Sequence, residues 1–256
     1  MEILFLRHAS LVLKINGLQL LIDPMLRAAR SAEAIQNTPN PQRNPLVSLP
    51  MDEDALKTLL EKIGGVLVTH THSDHWDDTA QAMLSKSLPI FCQPDDHQQI
   101  EDQLFTSVQP VIDEHNWKGI QFARTGGQHG KGKIGKLMAP VSGFVVDTPG
   151  EPKVYIAGDT IWCEEVETAL NYHKPDVIIL NAGAAQFNFG GPITMTADDV
   201  LMVCESSPNA QVVAVHMEAI NHCLLSRSAL EDSLIEASLN SRVWIPNDGE
   251  QTSVEG

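Results

Sequence analysis

The chain has 256 residues, 43% hydrophobic and 20% charged, which supplies ample material for a buried core and excludes wholesale disorder. Its formal net charge of −16 argues against nucleic acid as a partner, because phosphate backbones require Lys and Arg to displace counterions. No apolar run approaches the ~20 residues that span a bilayer, which argues against a membrane partner. The N-terminal MEILFLRHASLVLKI lacks the pattern of a secretory leader, and Cys92, Cys163, Cys204 and Cys223 form no close pair. The expectation is a cytoplasmic protein with reduced thiols.

In chain order, Glu2–His8 and Leu11–Ile15 read as strands, and Asn16-Gly17 is a two-residue hairpin signal before a third strand, Leu18–Ile22. Residues from Arg27 to Pro50 shift to Asn, Pro, Gln and Arg with little periodicity, the composition of either a functional rim or a disordered insertion. After Asp52, a helix N-cap, Leu56, Leu59, Leu60 and Ile63 follow the spacing of one buried face until Gly64-Gly65 ends the pattern. A short strand, Val66–Thr69, runs into a histidine-rich segment. Helix Asp77–Ser85, strand Pro89–Cys92, helix Asp95–Leu104 and strand Ser107–Ile112 follow.

The second half repeats this logic. Gly119–Arg124, Val141–Asp147 and Pro152–Ala157 read as strands, Ile161–Tyr172 as a helix, Asp176–Leu180 as a strand, and Thr196–Glu205 as a helix with a Thr196/Asp199 capping box. Gln211–Val215, helix Ser226–Leu239 and strand Arg242–Ile245 complete it. Clusters of strands with interposed helices in both halves suit two sheets packed face to face with helices outside. No linker composition divides them, so residues 1–256 are read as one domain.

The segment His70-Thr71-His72-Ser73-Asp74-His75 places three imidazoles and a carboxylate at the end of an apolar strand. Extended backbone would turn His70 and His72 to one side, and neutral imidazole with carboxylate suits Zn²⁺, Mn²⁺ or Fe²⁺. The bland alternative is a solvated turn that binds nothing. One segment cannot complete two coordination spheres. His129 in a Gly-rich turn, Asp159 in Gly158-Asp159-Thr160 and His216 after an apolar strand are further candidates; singly each reads as structural, together they supply the missing donors.

The HxHxDH pattern from His70 to His75, a later His129, Asp159 in a Gly-Asp-Thr setting and a final His216 resemble the metallo-β-lactamase superfamily, as does Leu21-Ile22-Asp23-Pro24. Arg7-His8-Ala9-Ser10, THTHSDHWD and His216 to His222 look most like the branch holding ascorbate-6-phosphate lactonases and N-acyl-phosphatidylethanolamine phospholipase D. The resemblance implies an α/β, four-layer αββα sandwich. It implies one metal on His70, His72 and His129, a second on Asp74, His75 and His216, and Asp159 bridging them, with Asp23 in support. Two divalent ions, zinc before manganese or iron, ~3.5–4 Å apart, would share a water, lower its pKa to ~7 and polarise the substrate. Asp74 is then the expected proton acceptor.

The expected function is hydrolysis of an ester, lactone or phosphoester in a small metabolite by a metal-bridging hydroxide. The alternatives are a non-catalytic metal-binding protein on the same fold, and a phosphodiesterase acting on a lipid or nucleotide. Self-association is what relatives of that branch suggest. His8, after the first strand, reads as a structural histidine ahead of a pocket residue, and Trp76 as packing. Glu218 and His222 read equally as supports of His216 or as surface groups. Arg43 and Asn44 read as ordinary loop residues, and Asn181-Ala182-Gly183-Ala184 as pocket lining. Arg27–Pro50, Gly130–Leu137 and Ala182–Thr194 read as loops that line the pocket.

Overall fold

The computed structural model describes residues 1–254. The first sheet is built from Glu2–Arg7 (β1), Ser10–Ile15 (β2), Leu18–Ile22 (β3), Gly65–Val68 (β4), Ile90–Cys92 (β5) and Val108–Pro110 (β6). The second takes Glu114–Trp117 (β7), Ile120–Thr125 (β8), Gly143–Asp147 (β9), Val154–Ile156 (β10), Val177–Asn181 (β11), Gln211–Val215 (β12) and Val243–Trp244 (β13). Gln251–Ser253 (β14) returns to the first sheet and pairs with β1, giving the orders β14-β1-β2-β3-β4-β5-β6 and β13-β12-β11-β10-β9-β8-β7. Each sheet is mixed, with parallel pairs from β3 to β6 in one and from β10 to β13 in the other. Asn16 and Gly17, both at positive φ, close the predicted hairpin.

Alternation along the strands sorts the core into three layers. Leu67, Phe91, Phe122, Phe144, Ile156, Ile179 and Val213 meet between the sheets. Val66, Val68 and Ile90 face outward, under Leu56 of helix Glu53–Leu60 (α1), Ala80 of Asp78–Met83 (α2) and Ile100 of His97–Asp102 (α3). On the far side Tyr155, Ile178, Leu180 and Val212 lie under three helices, Glu164–His173, Ala197–Ser206 and Arg227–Glu236. Helix, sheet, sheet, helix is the order of layers, the αββα sandwich that the resemblance implied. Among the described residues no helix is long and apolar enough to cross a membrane.

Three expectations change. Glu114–Trp117 and Gln251–Ser253 are strands, although their polar sequences carry little alternation. Gly132–Met138 is a helix within the expected loop Gly130–Leu137; its two glycines, Gly132 and Gly135, masked it. The 27–50 segment is not a disordered insertion. Buried Arg7 donates to the carbonyls of Met25, Arg27 and Val47 at 2.8, 3.0 and 2.9 Å. Asn221, equally buried, accepts from Asn44 Nδ2 at 2.7 Å and donates through Nδ2 to Thr38 Oγ1 at 2.7 Å and the Asn40 carbonyl at 2.6 Å.

Candidate metal centre

The site forms beyond the carboxyl ends of the parallel strands, where open α/β sheets present their loops. The chain leaving β4 carries His70 to His75, that leaving β8 carries His129, that leaving β10 carries Asp159, and that leaving β12 carries His216. Gly158 turns at φ +67°, and a Cβ there would lie 2.6 Å from the Ser142 carbonyl; this tight turn presents Asp159 to the interior.

The structure brings all seven predicted residues together. Asp159 lies between two groups: its Oδ2 is 3.3 Å from His75 Nε2, 3.4 Å from His129 Nε2 and 3.9 Å from His70 Nε2, and its Oδ1 is 3.2 Å from His216 Nε2. His70 Nε2 and His72 Nδ1 are 2.9 Å apart, and His75 Nε2 and His216 Nε2 are 3.3 Å apart. Asp74 Oδ2 stands 4.0 Å from His75 Nε2 and 3.9 Å from His216 Nε2. His70, His72 and His129 make one set whose donor atoms lie within 4.8 Å of one another; Asp74, His75 and His216 belong to a second, which also contains His8. All but half-buried His72 are buried.

The outer nitrogens fix which ring nitrogens face inward. His75 Nδ1 donates to Asp23 Oδ2 at 2.8 Å, and His129 Nδ1 donates to the Ile193 carbonyl at 2.7 Å. Thr69 Oγ1 gives its single proton to Asp23 Oδ2 at 2.7 Å, so at 3.1 Å from His70 Nδ1 it accepts. Neutral His70 and His129 are thereby left with Nε2 lone pairs aimed at the centre. His216 Nδ1 lies 3.5 Å from Cys223 Sγ. Asn181 Nδ2 donates to Asp159 Oδ1 at 2.7 Å, so Asn181 supports the site and is not only a lining residue.

Electrostatics point the same way. Burial holds His70 well below the usual imidazole range, with His75 and His72 adding to it, and burial also lowers His129. Burial alone would raise Asp159, but His216 and His75 outweigh it and hold the carboxyl well below its usual range. For Asp74 burial is likewise outweighed, by the His8 hydrogen bond and by His75. His75 itself resists burial: Asp159 and Asp23 hold it well above the ordinary value. The carboxylates that favour a proton on His75 would equally favour a cation. A divalent ion displaces such a proton when it binds. Among the described residues Asp23, Asp74 and Asp159 form ion pairs with histidines only. Buried carboxylates with inward-facing imidazoles fit divalent metal.

His8, read from sequence as a structural histidine, is instead in the cluster, with Nε2 3.1 Å from Asp74 Oδ2. Its only signals in the sequence were its place after the first strand and in the Arg7-His8-Ala9-Ser10 motif, 66 residues before Asp74. Burial pushes its imidazole down to about 3. His222 is buried, pushed by burial down to about 4, and its ring stacks on Phe187. Glu218 binds Arg227 rather than His216. Arg43 is committed to Glu33 and to the Arg30 and Ser31 carbonyls, and Asn44 is a pin of the loop. Trp76 is buried against Phe105 and donates to Gln103.

The family model described as the beta-lactamase superfamily domain matches residues 19–217. The UPF0173 protein YddR of Bacillus subtilis (strain 168) is 36% identical over 253 residues, covering 98% of each chain. The crystal structure of isothiocyanate hydrolase from Delia radicum gut bacteria superposes with a TM-score of 0.93 at 35% identity, covering 100% of both chains. That of a possible metal-dependent hydrolase from Veillonella parvula DSM 2008 gives 0.95 at 35% identity over 99% of both.

Proposed function

This chain belongs to the beta-lactamase superfamily and is one of its metal-dependent hydrolases, and from that footing we propose that it is a dinuclear zinc enzyme that cleaves an ester, lactone or phosphoester bond in a small molecule. One observation carries the proposal: two donor sets, His70/His72/His129 and Asp74/His75/His216, all buried except half-buried His72, converge on Asp159. Five imidazoles and two carboxylates favour zinc, with manganese or iron as the other ions that such donors accept. When bound, the two ions supply Lewis acidity toward the carbonyl or phosphoryl oxygen and acidify water to a nucleophile. Asp74 takes up the proton and returns it to the leaving group. Asp23, Thr69 and Ile193 hold the imidazoles in the tautomers the site requires, and burial keeps competing bulk water away from the donors. The enzyme so proposed works as one domain on a small molecule in the cytoplasm, without nucleic acid or membrane.

A second reading, a neutral electrophile such as an isothiocyanate, is favoured by the similar isothiocyanate hydrolase and by an aromatic series. His222 stacks on Phe187 and Phe187 on Phe189, with centroids 6.1 and 5.7 Å apart, running from a buried ring to an exposed one. Such a wall suits a flat apolar group. Metal content and hydrolysis of a phosphodiester, a lactone and benzyl isothiocyanate, measured for wild type and Asp159→Ala, test both readings. Two ions per chain and loss of turnover in the variant are expected. Fewer than two ions in wild type, or full activity in Asp159→Ala, overturns the dinuclear hydrolase, and the preferred substrate separates the readings.

A further inference from the structure

His8 occupies the turn between β1 and β2, in the first sheet, and is fully buried. Its backbone lies at φ +62°, a region that disfavours a residue with a Cβ, and His216 at the end of β12 lies at φ +71°. These two strained residues, one from each sheet, face each other: the His216 N–H donates to the His8 carbonyl at 2.7 Å. Their rings are in contact, with centroids 3.6 Å apart and planes tilted by 37°. From the same ring, His8 Nε2 donates to Asp74 Oδ2 at 3.1 Å, while Nδ1 has no hydrogen-bond partner. Nε2 therefore bears the proton, and neutral His8 needs no partner at Nδ1.

We propose that His8 is a positioning residue of the metal centre, holding Asp74 through its oxygen and His216 through ring and backbone contact, so that the second ion's donors from opposite sheets stay in register. This rests on the two-ion reading above. The ring arrangement distinguishes positioning from direct ligation. Imidazoles that would share an ion converge at their nitrogens with ring centres apart, as His75 and His216 do, with centroids 5.3 Å apart and Nε2 atoms 3.3 Å apart. His8 instead sets its ring centre only 3.6 Å from that of His216 and spends its Nε2 proton on a carboxylate oxygen whose other lone pair is free for the ion.

The experiment compares zinc-loaded wild type, His8→Ala and His8→Gln in chelator competition, counts ions per chain, and records the visible spectrum of the cobalt-substituted proteins. His8→Ala should retain one ion with wild-type affinity, which also shows that it folds, and bind the second about 10- to 100-fold more weakly, the usual cost of removing a support behind a ligand. His8→Gln, whose amide can donate to the same carboxylate, should recover most of the loss without a change in the cobalt spectrum. Unchanged second-ion affinity in His8→Ala overturns the proposal. So does equal weakening of both ions, which marks a general structural role. Failure of Gln to rescue, with a cobalt spectrum altered by loss of a nitrogen, overturns it in favour of direct ligation. Wild type holding fewer than two ions fails the dinuclear reading itself, a result visible before any variant is compared.

Discussion

His75 and His129 both turn Nε2 toward Asp159, yet different means hold their outer nitrogens. His75 leans on a side chain, Asp23, and His216 and Asp74 beside it lean on Cys223 and His8. His129 leans on backbone, the carbonyl of Ile193, inside a segment tied down by Ile193 N–H to Ala185 and Ala185 N–H to Thr194 Oγ1. Support from side chains can be tuned or lost one substitution at a time. Support from a carbonyl survives any side-chain change that leaves the loop path intact. The Asp74/His75/His216 set is thus held by adjustable side chains throughout, whereas the other set combines the Thr69 side chain behind His70 with the fixed carbonyl behind His129.

The largest expected effect breaks that comparison directly. Asp23→Asn leaves an acceptor for the Thr69 N–H but removes the charge that holds His75, and should weaken the second ion about 10- to 100-fold. Ile193→Val trims a buried side chain yet keeps the carbonyl, so both ions should bind as in wild type. Chelator competition on the two purified variants decides; similar losses in both would show that the two sides are held alike.

How much of this was legible depended on distance along the chain. His70, His72, Asp74 and His75 announce themselves because one strand end presents them within six residues. His129, Asp159 and His216 follow strands too, but nothing local separates them from ordinary residues after strands; family order singled them out. His8 escaped for a different reason. Its role depends on a positive φ and on a contact with His216, 208 residues further along, and neither leaves a trace in composition. Two sheets with helices outside were readable from the clustering of strands and helices, and the αββα order from the resemblance, whereas the order of the 27–50 loop was not. Its pins, Arg7 and Asn221, lie outside the segment.

Those pins yield the next prediction, on the two rims of the site. Asn221→Ala strips partners from the Ile35 N–H, Thr38, Asn40 and Asn44 together. Asn44 is the buried one of these groups, and a buried group left unsatisfied costs about 1–3 kcal/mol, so a loss of about 2 kcal/mol is expected. The 27–50 rim should open first. Hydrogen exchange should rise in residues 30–46 while the rim around Phe187 keeps its protection. Uniform loosening of both would mean that Asn221 does not act on one rim alone.

The smallest effect concerns protons, and it too belongs to one side. His222 is buried, its Nδ1 has no partner, and its imidazole is pushed by burial to about 4. Above the unfolded value of about 6.5 both states are neutral there, so His222 adds no pH dependence. As the pH falls from that value toward 4, the unfolded chain takes a proton that the folded chain refuses, and stability falls with pH. At pH 5 the gap is about 1.5 pH units, or about 2 kcal/mol. His222→Phe keeps a ring to stack on Phe187 and has nothing to titrate. Denaturant unfolding of the metal-free proteins at pH 7 and pH 5 should show wild type losing about 2 kcal/mol more than the variant. Equal losses would mean that His222 reaches solvent in the folded state, and the buried end of the aromatic series would then be wet.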